Sequence, residues 1–174
     1  MAKDIIDQLI DQWERERPDL DARPMAVVGR ILRLATHLDR RVNEALKPFG
    51  LAVWGFDILA TLRRHGKPYA MTPTALMEAA MLSSGAMTNR IDRLENLGLV
   101  ERQPSPNDRR SFQVQLTRKG RKVIEKAIEV RFAEAEDALD GVSKRDRKQL
   151  GNLLRNVLLK MDCSDSKPIT GEVT

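Results

Sequence analysis

Two short helical segments followed at once by an alternating segment constrain the fold of this chain more than any other feature. Thr72 and Pro73 place a helix N-cap before a proline at the first helical position, and so predict a short helix to about Met81. A tight turn over 82–85 leads to a second helix, which closes at Gly98. Met87, Ile91, Leu94 and Leu97 recur at helical spacing over this second helix, and Met87, Ile91 and Leu94 are expected to face inward.

After Gly98 the pattern changes from the helical period to an alternation of apolar and polar residues. The alternating positions are Val100 and Arg102, then Phe112, Val114 and Leu116. Between them lies a turn sequence, 104–108, so we expect a β-hairpin with a polar, basic tip. Two short helices, a tight turn and a basic hairpin predict a winged helix-turn-helix, in a fold that is mainly α with a small β-hairpin wing.

Longer helical segments flank this motif and carry wide apolar stripes. Apolar spacing predicts helices over 3–16, 24–46 and 52–64 before the motif, and over 117–139 and 143–161 after it. The inward positions expected in the segment before the motif are Trp54, Ile58, Leu59 and Leu62. A motif this small offers the outer stripes no partner, so we expect dimerisation helices that meet in a C2 dimer. The expected organisation is an N-terminal arm and dimerisation helix (1–48), the winged helix-turn-helix (49–121), C-terminal dimerisation helices (122–161) and a disordered tail (162–174).

The charge of the chain is concentrated in its middle. The net charge is +5, with eight basic and four acidic residues over 83–121 against three basic and seven acidic residues over 1–21. A local excess of Lys and Arg favours a polyanionic partner. The expected DNA-binding surface therefore lies in the second helix of the motif, the wing and the turn that follows.

Cysteine usage and hydropathy limit the class of protein further. The single cysteine, Cys163, excludes an internal disulfide and a CxxC metal site. Charged residues interrupt every apolar stretch before the roughly 18 residues of a membrane span, and the start MAKDIIDQLIDQW lacks a signal-peptide core. We therefore expect a cytoplasmic protein without membrane association, metal or cofactor.

The outer face of the second helix carries short polar and basic side chains. With the apolar positions turned inward, the residues left to face outward are Ser83, Ser84, Thr88, Asn89 and Arg93. Such groups can reach base edges and phosphates in a major groove. The hairpin turn adds Asp108, Arg109 and Arg110, which could alternatively be solvated turn residues. Ser83 is also expected to cap the helix.

The stretch over 71–120 resembles the DNA-binding core of the MarR family of bacterial transcriptional regulators. Its most specific element is the wing signature, Asp108-Arg109-Arg110 followed by Leu116-Thr117 and Gly120, and the resemblance extends over about 24–161. It implies a homodimer that binds a pseudo-palindromic operator, usually as a repressor that a small ligand or an oxidant releases. It also implies that Asp108 pairs with Arg110 and that a wing arginine enters the minor groove, where negative potential attracts a guanidinium.

Four residues resemble the effector set of the urate-responsive branch of this family: Trp13, Asp57, Arg90 and Arg102. An anionic planar ligand, urate-like or phenolic, could stack on Trp13, pair with the arginines and displace Asp57 from an ion pair with Arg90. The alternative is that Trp13 packs in the dimer core and that Asp57 and Arg90 form a structural ion pair.

Other function classes find less support in the sequence. A glycine-rich phosphate loop, a GxSxG elbow and a credible Cys/His pair are all missing, so we do not expect an enzyme. His37 and His65 lack metal-ligand spacing, and Cys163, in the expected tail, is a weak oxidant sensor. The remaining alternative is a winged-helix module that binds protein, or an architectural DNA binder without ligand response. A protein-binding module would present an apolar outer helix face.

Overall fold

In the computed structural model, which describes residues 3–80, 87–104 and 111–165, seven α-helices accompany a small antiparallel sheet. The helices in these ranges are α1 (Ile5–Glu16), α2 (Met25–Leu46), α3 (Val53–Arg64), α4 (Pro73–Ala79), α5 (Met87–Asn96), α6 (Arg118–Asp137) and α7 (Lys144–Asp165). The strands are β1 (Ala70–Met71), β2 (Val100–Pro104) and β3 (Phe112–Leu116), and a 3-10 turn, Lys47–Phe49, follows α2. The mainly helical fold with a small sheet is as expected from the sequence.

The sheet has the order β1-β3-β2, with β3 in the centre. Val100 pairs with Leu116 and Arg102 with Val114, so β2 and β3 form the predicted hairpin. Strand β1, whose Ala70 pairs with Gln115 of β3, was not predicted from the sequence. A strand of two residues is too short to show an alternating pattern.

The core lies where α3, α4, α5 and α6 meet the sheet. Fully buried apolar side chains from these elements are Ile58, Leu59, Leu62, Leu76, Leu94, Val114 and Ile124. Met87, Ile91 and Leu94 form the inward face of α5, as predicted. Leu97, the last apolar residue of the predicted helix, is 48% exposed. The helix ends one residue earlier, at Asn96, and Gly98 turns the chain away with a positive φ of 68°.

The start of α6 is fixed by one threonine and one glycine. Thr117 accepts a hydrogen bond on Oγ1 from the Gly120 N–H (2.9 Å) and donates one to the Gly98 carbonyl (2.7 Å). A Cβ at Gly120 would lie 1.8 Å from the carbonyl oxygen of Leu99. A side chain cannot be accommodated there, so α6 closes directly onto the connection between α5 and β2.

The N-terminal helix is anchored by its own cap. Asp4 accepts hydrogen bonds from the N–H groups of Ile6 and Asp7, and the Asp7 carboxylate accepts one from the Asp4 N–H, which completes a capping box. Arg30 of α2 binds both carboxylates, at 2.8 Å from Asp4 and 2.7 Å from Asp7. The predicted helix over 3–16 is therefore present, and its first turn is tied to α2.

By its contacts the chain divides into two units, Met1–Glu134 and Ala135–Thr174. In the second unit Gly141 takes a positive φ of 77°, and Ser143 then caps α7 through the Asp146 N–H (3.2 Å). The helix continues through Asp165, beyond the predicted end at 161, because the next helix breaker in the sequence is Pro168. The expectation of disorder from residue 162 is thus wrong for 162–165, and 166–174 lie outside the described residues.

Within the described ranges, no single helix has the length and apolar content needed to cross a membrane. One bent pair, Met25–Phe49 with Val53–Arg64, reaches the threshold together by length and composition alone, with a 73° bend between its halves.

Candidate nucleic-acid interface

Helix α5 presents a polar face on the side opposite its buried face. Thr88, Asn89 and Arg93 are exposed there, as predicted. Ser83 and Ser84, which were predicted to face outward as well, lie outside the described residues. Helix α5 therefore has the amphipathic form that is typical of a recognition helix, with one face packed on the core and the opposite face exposed.

Arg102 on β2 ties the wing hairpin to α5. Its guanidinium forms ion pairs with Asp92 and Glu95, one turn apart on α5, and its backbone N–H donates to Glu95 Oε1 at 3.2 Å. The same guanidinium lies 5.1 Å from the centre of the Phe112 ring on β3. The hydrogen bond to Asp92 raises the pKa of Arg102 further above its ordinary value.

This contact has an electrostatic consequence as well as a geometric one. Asp92 and Glu95 place two negative charges on α5. Without a compensating cation, these charges would repel phosphate groups. Arg102 compensates both and fixes β2 against α5, so the hairpin and the helix form one surface. The turn residues Asp108, Arg109 and Arg110 lie outside the described residues, between the paired positions Pro104 and Phe112.

Two arginines of α5 lie over one tryptophan of α3. The guanidinium carbons of Arg90 and Arg93 are 5.8 and 5.5 Å from the Trp54 ring centre. Trp54 is accordingly half-buried, where the sequence predicted a core residue. Cation–π contacts of this kind orient the guanidinium without removing its charge. This role of Trp54 was not predicted from the sequence, although a tryptophan near the start of α3 offers a ring on which arginines can pack.

The four predicted effector residues are only partly brought together. Burial raises the pKa of Asp57, and the nearby guanidinium charges of Arg131, Arg64 and Arg90 oppose that rise. In the described ranges no ion pair within 4 Å joins Asp57 to Arg90, so the expected ion pair is wrong in its direct form. Arg102 is engaged with Asp92 and Glu95 as described above.

Trp13 is the most exposed member of the set. It lies on α1 with 55% of its surface exposed, and the cation–π contacts to tryptophan in the described residues involve Trp54 instead. Arg64 and Arg131, which also act on Asp57, were missed. The helical register could have indicated Arg64, seven residues after Asp57 on the same face of α3, whereas Arg131 is distant in sequence.

A polar-faced helix packed on an apolar core, beside a short antiparallel wing tied to it, defines a winged helix-turn-helix, a fold that occurs in many DNA-binding proteins. The comparisons with known proteins are specific on this point. The family model of the MarR family matches residues 55–112. The HTH-type transcriptional regulator PecS of Dickeya dadantii is 38% identical over 152 residues, which cover 87% of this chain and 92% of PecS.

Solved structures agree with the sequence comparison. A cysteine-to-serine mutant of MarR from Escherichia coli, in complex with operator DNA, aligns with a TM-score of 0.68 and 27% identity, covering 84% of this chain and 97% of that one. BpsR of Bordetella bronchiseptica, whose DNA binding is regulated by 6-hydroxynicotinic acid, aligns with a TM-score of 0.68 and 22% identity over 75% and 91% of the two chains, and shares the fold. The chain belongs to the MarR family of transcriptional regulators.

Proposed function

We propose that this protein is a ligand-responsive repressor that binds a pseudo-palindromic operator as a homodimer. The observation that carries the proposal is the joint surface of α5 and the wing hairpin, in which Arg102 compensates the acids of α5 and leaves Thr88, Asn89 and Arg93 outward. The relation to regulators such as PecS supports the same function.

In this proposal the major groove receives α5 and the minor groove receives the wing. Ser83, Ser84, Thr88, Asn89 and Arg93 contact base edges and phosphates. Arg109 and Arg110, braced by Asp108, supply the guanidinium that the narrow minor groove attracts. Thr88 and Asn89 lie in the first turn described for α5, which is the end of a recognition helix that reads bases in related folds.

The test is selection of bound DNA from a random pool, followed by salt-titrated gel shifts on the selected site. A palindromic site is expected. Arg110→Ala is expected to weaken binding by about 1–3 kcal/mol and to lower the salt slope by about one. Lys144→Ala, which removes an exposed charge at the start of α7, is the matched control and is expected to leave both values unchanged. Unchanged affinity in Arg110→Ala would reject the wing assignment.

The homodimer is supported by apolar side chains that remain exposed in this chain. On α2 they include Val27 and Leu32, with 59% and 63% of their surface exposed, and Phe132 on α6 is 73% exposed. In the second unit, α7 exposes a stripe formed by Leu150, Leu153, Leu154, Val157, Leu158 and Met161. Burial of such surface is the main driving force of association, so sedimentation at micromolar concentration is expected to show a dimer.

The effector is proposed to be a small aromatic anion that binds near Asp57. The charges of Arg64, Arg90 and Arg131 act on this half-buried carboxylate, and these side chains could pair with an anionic ligand. Because Arg90 belongs to α5, a ligand that draws on its charge would act on the DNA-reading helix. Trp13 and Arg102 remain part of the proposed set, Trp13 as an exposed ring for stacking.

Calorimetry with urate, related purines and phenolic acids tests this part of the proposal. Binding by wild type and a loss of at least about tenfold in Trp13→Ala are expected. Asp57→Asn is expected not to lose affinity, because it removes a negative charge that repels an anionic ligand. Absence of binding by all of these compounds, or equal affinity in Trp13→Ala and wild type, would reject the site. Retained operator binding in that case would leave an architectural or ligand-independent regulator.

A further inference from the structure

A second basic region lies in a groove formed by the start of α6, the end of β3 and the loop before β1. The groove has a volume of about 1470 Å³. Five of its lining residues are basic: Arg118, Lys119, Arg121, Lys122 and Lys126. Its one acidic lining residue, Glu125, is already paired with Arg63 at 2.6 Å. The groove therefore carries a positive charge that its own acid does not compensate.

Three of these cations lie on one face of α6. Arg118, Lys122 and Lys126 follow each other at intervals of four residues, which is a spacing of about 6 Å along a helix. Throughout the portion of the chain that the structure covers, these three make no hydrogen bond or ion pair. Like charges at this spacing repel one another, so the row costs stability unless an anion binds to it.

The floor of the groove contains a backbone conformation that few side chains adopt. Tyr69 has a positive φ of 63°, and its ring lies 5.2 Å from the Arg63 guanidinium carbon and 5.4 Å from that of Arg121. Its N–H donates to the Gly66 carbonyl at 2.7 Å, and its carbonyl accepts from the Leu116 N–H at 3.1 Å. Left-handed backbone at a non-glycine residue is concentrated at functional sites, and here it presents two guanidiniums beside the groove.

The basic residues of 118–121 were expected to belong to the DNA-binding surface, but they lie away from the residues of α5 proposed to contact DNA. The groove includes Gln115 and Leu116, about 10–13 Å along β3 from Phe112, where the hairpin turn begins. Lys119 donates to the carbonyl of Leu97, beyond the last turn of α5, at 2.7 Å. The groove is thus beside the end of α5 opposite to Thr88 and Asn89.

We propose that this groove binds a small anion with several phosphate groups. Lys supplies compact, mobile charges for phosphate, and Arg supplies planar donors for two oxygens at once. A row of cations about 6 Å apart favours a ligand whose charge is extended over successive phosphates above a single carboxylate or sulfate. The aromatic rings of Phe49 and Tyr69 in the same lining permit, but are not needed for, an attached nucleoside.

Calorimetry with sodium tripolyphosphate and with ATP tests the proposal, using sodium sulfate at matched ionic strength as the reference anion. Both oligophosphates are expected to bind wild type. A higher affinity for ATP than for tripolyphosphate would indicate a nucleotide ligand, and equal affinities would indicate an inorganic oligophosphate. The double variant Lys122→Gln/Lys126→Gln is expected to lose at least about tenfold in affinity. Lys144→Gln/Lys148→Gln removes the same charge from exposed positions on α7 and is expected to bind as wild type.

Three results would overturn the proposal. They are failure of both oligophosphates to bind, equal losses in the two double variants, and sulfate binding as tight as that of tripolyphosphate. Operator gel shifts separate this groove from the DNA surface, because Lys122→Gln/Lys126→Gln is expected to retain operator affinity and salt slope. A fall of about two in that slope would instead assign the groove to DNA.

Discussion

Two helices of this chain are each tied to a neighbouring element by one arginine that lies between two carboxylates. Arg102 of β2 binds two acids of α5, whereas Arg30 of α2 binds two acids of α1. Behind these contacts the two helices differ. The inward side chains of α5 keep at most 4% of their surface exposed, while the buried side chain of α1 is Ile6 alone, at 8%. The same arrangement of one arginine and two carboxylates therefore orients α5, which is already packed in the core. In α1, which buries little apolar surface, it is the main attachment.

The core of α5 gives the largest expected effect. Leu94 is 1% exposed, and Leu94→Ala is expected to lower the free energy of unfolding by about 2–5 kcal/mol, because it leaves a cavity against α3. Chemical denaturation followed by circular dichroism measures this change. Operator binding is expected to fall with the folded fraction.

Leu97→Ala is the matched control for this prediction. Leu97 is three residues further along but 48% exposed, so the change is expected to stay within about 0.5 kcal/mol. Equal destabilisation by the two substitutions would contradict the end of α5 at Asn96 and the exposure of Leu97.

Arg102 gives the next effect, on DNA binding more than on folding. Arg102→Met keeps the aliphatic stem over Phe112 but removes the charge that joins β2 to α5. Since the core still holds α5, we expect little change in unfolding and a loss of about 2- to 30-fold in operator affinity. Gel shifts and thermal unfolding on the same preparations measure the two quantities.

A further variant separates orientation from repulsion. Combining Arg102→Met with Asp92→Asn and Glu95→Gln removes the acids that Arg102 leaves uncompensated. If Arg102 positions the wing, operator affinity stays low in the combined variant. Full recovery would show that charge compensation is its whole role.

The difference between these two helices also marks what the sequence could predict. Apolar spacing predicted the inward face of α5 and the presence of α1, because both depend on residues close together in the chain. The hairpin was equally accessible, since alternation over Phe112, Val114 and Leu116 is a local pattern. The two-residue strand β1 has no local pattern and forms because β3 offers it an edge.

The sequence predicted the ion-pair partners of charged side chains least well. From the sequence, no protein partner was predicted for Arg102, although Asp92 and Glu95 lie one turn apart on the preceding helix and form ion pairs with it. Arg131 approaches Asp57 from α6, far away in sequence. Such pairings depend on how the helices and strands pack against one another, and the periodicity within a single helix or strand does not predict them.

Arg30 gives a local effect. Arg30→Gln removes both ion pairs to α1 while leaving the capping box of Asp4 and Asp7 intact. We expect faster hydrogen exchange over 5–16 with unchanged exchange in α5, because the core does not depend on α1. Arg33→Gln, one turn away on the same helix, is the control. Equal exchange rates over 5–16 in wild type and Arg30→Gln would show that Ile6 alone holds the helix.

The smallest effect is the pH dependence of the same contact. The hydrogen bond from the Asp7 N–H lowers the pKa of Asp4, and the hydrogen bond from Arg30 lowers the pKa of Asp7, below the ordinary value of 3.8. A carboxyl group with a lowered pKa in the folded state binds fewer protons there than in the unfolded state. Its stabilisation is therefore complete above pH 3.8 and is lost as the pH falls through the folded-state pKa.

Carbon-13 chemical shifts of labelled aspartate carboxyl groups measure the pKa values of Asp4 and Asp7. The variants Asp4→Asn and Asp7→Asn serve to assign the two signals. Both groups are expected to titrate below 3.8 in wild type, and the protection of the amides of 5–16 against exchange, corrected for the intrinsic exchange rate at each pH, is expected to fall in the same range. In Arg30→Gln the pKa of Asp7 should move back toward its ordinary value, whereas Asp4 keeps the part due to the Asp7 N–H. Titration of both groups at 3.8 in wild type would contradict the anchor, and the comparison between α1 and α5 would then rest on apolar burial alone.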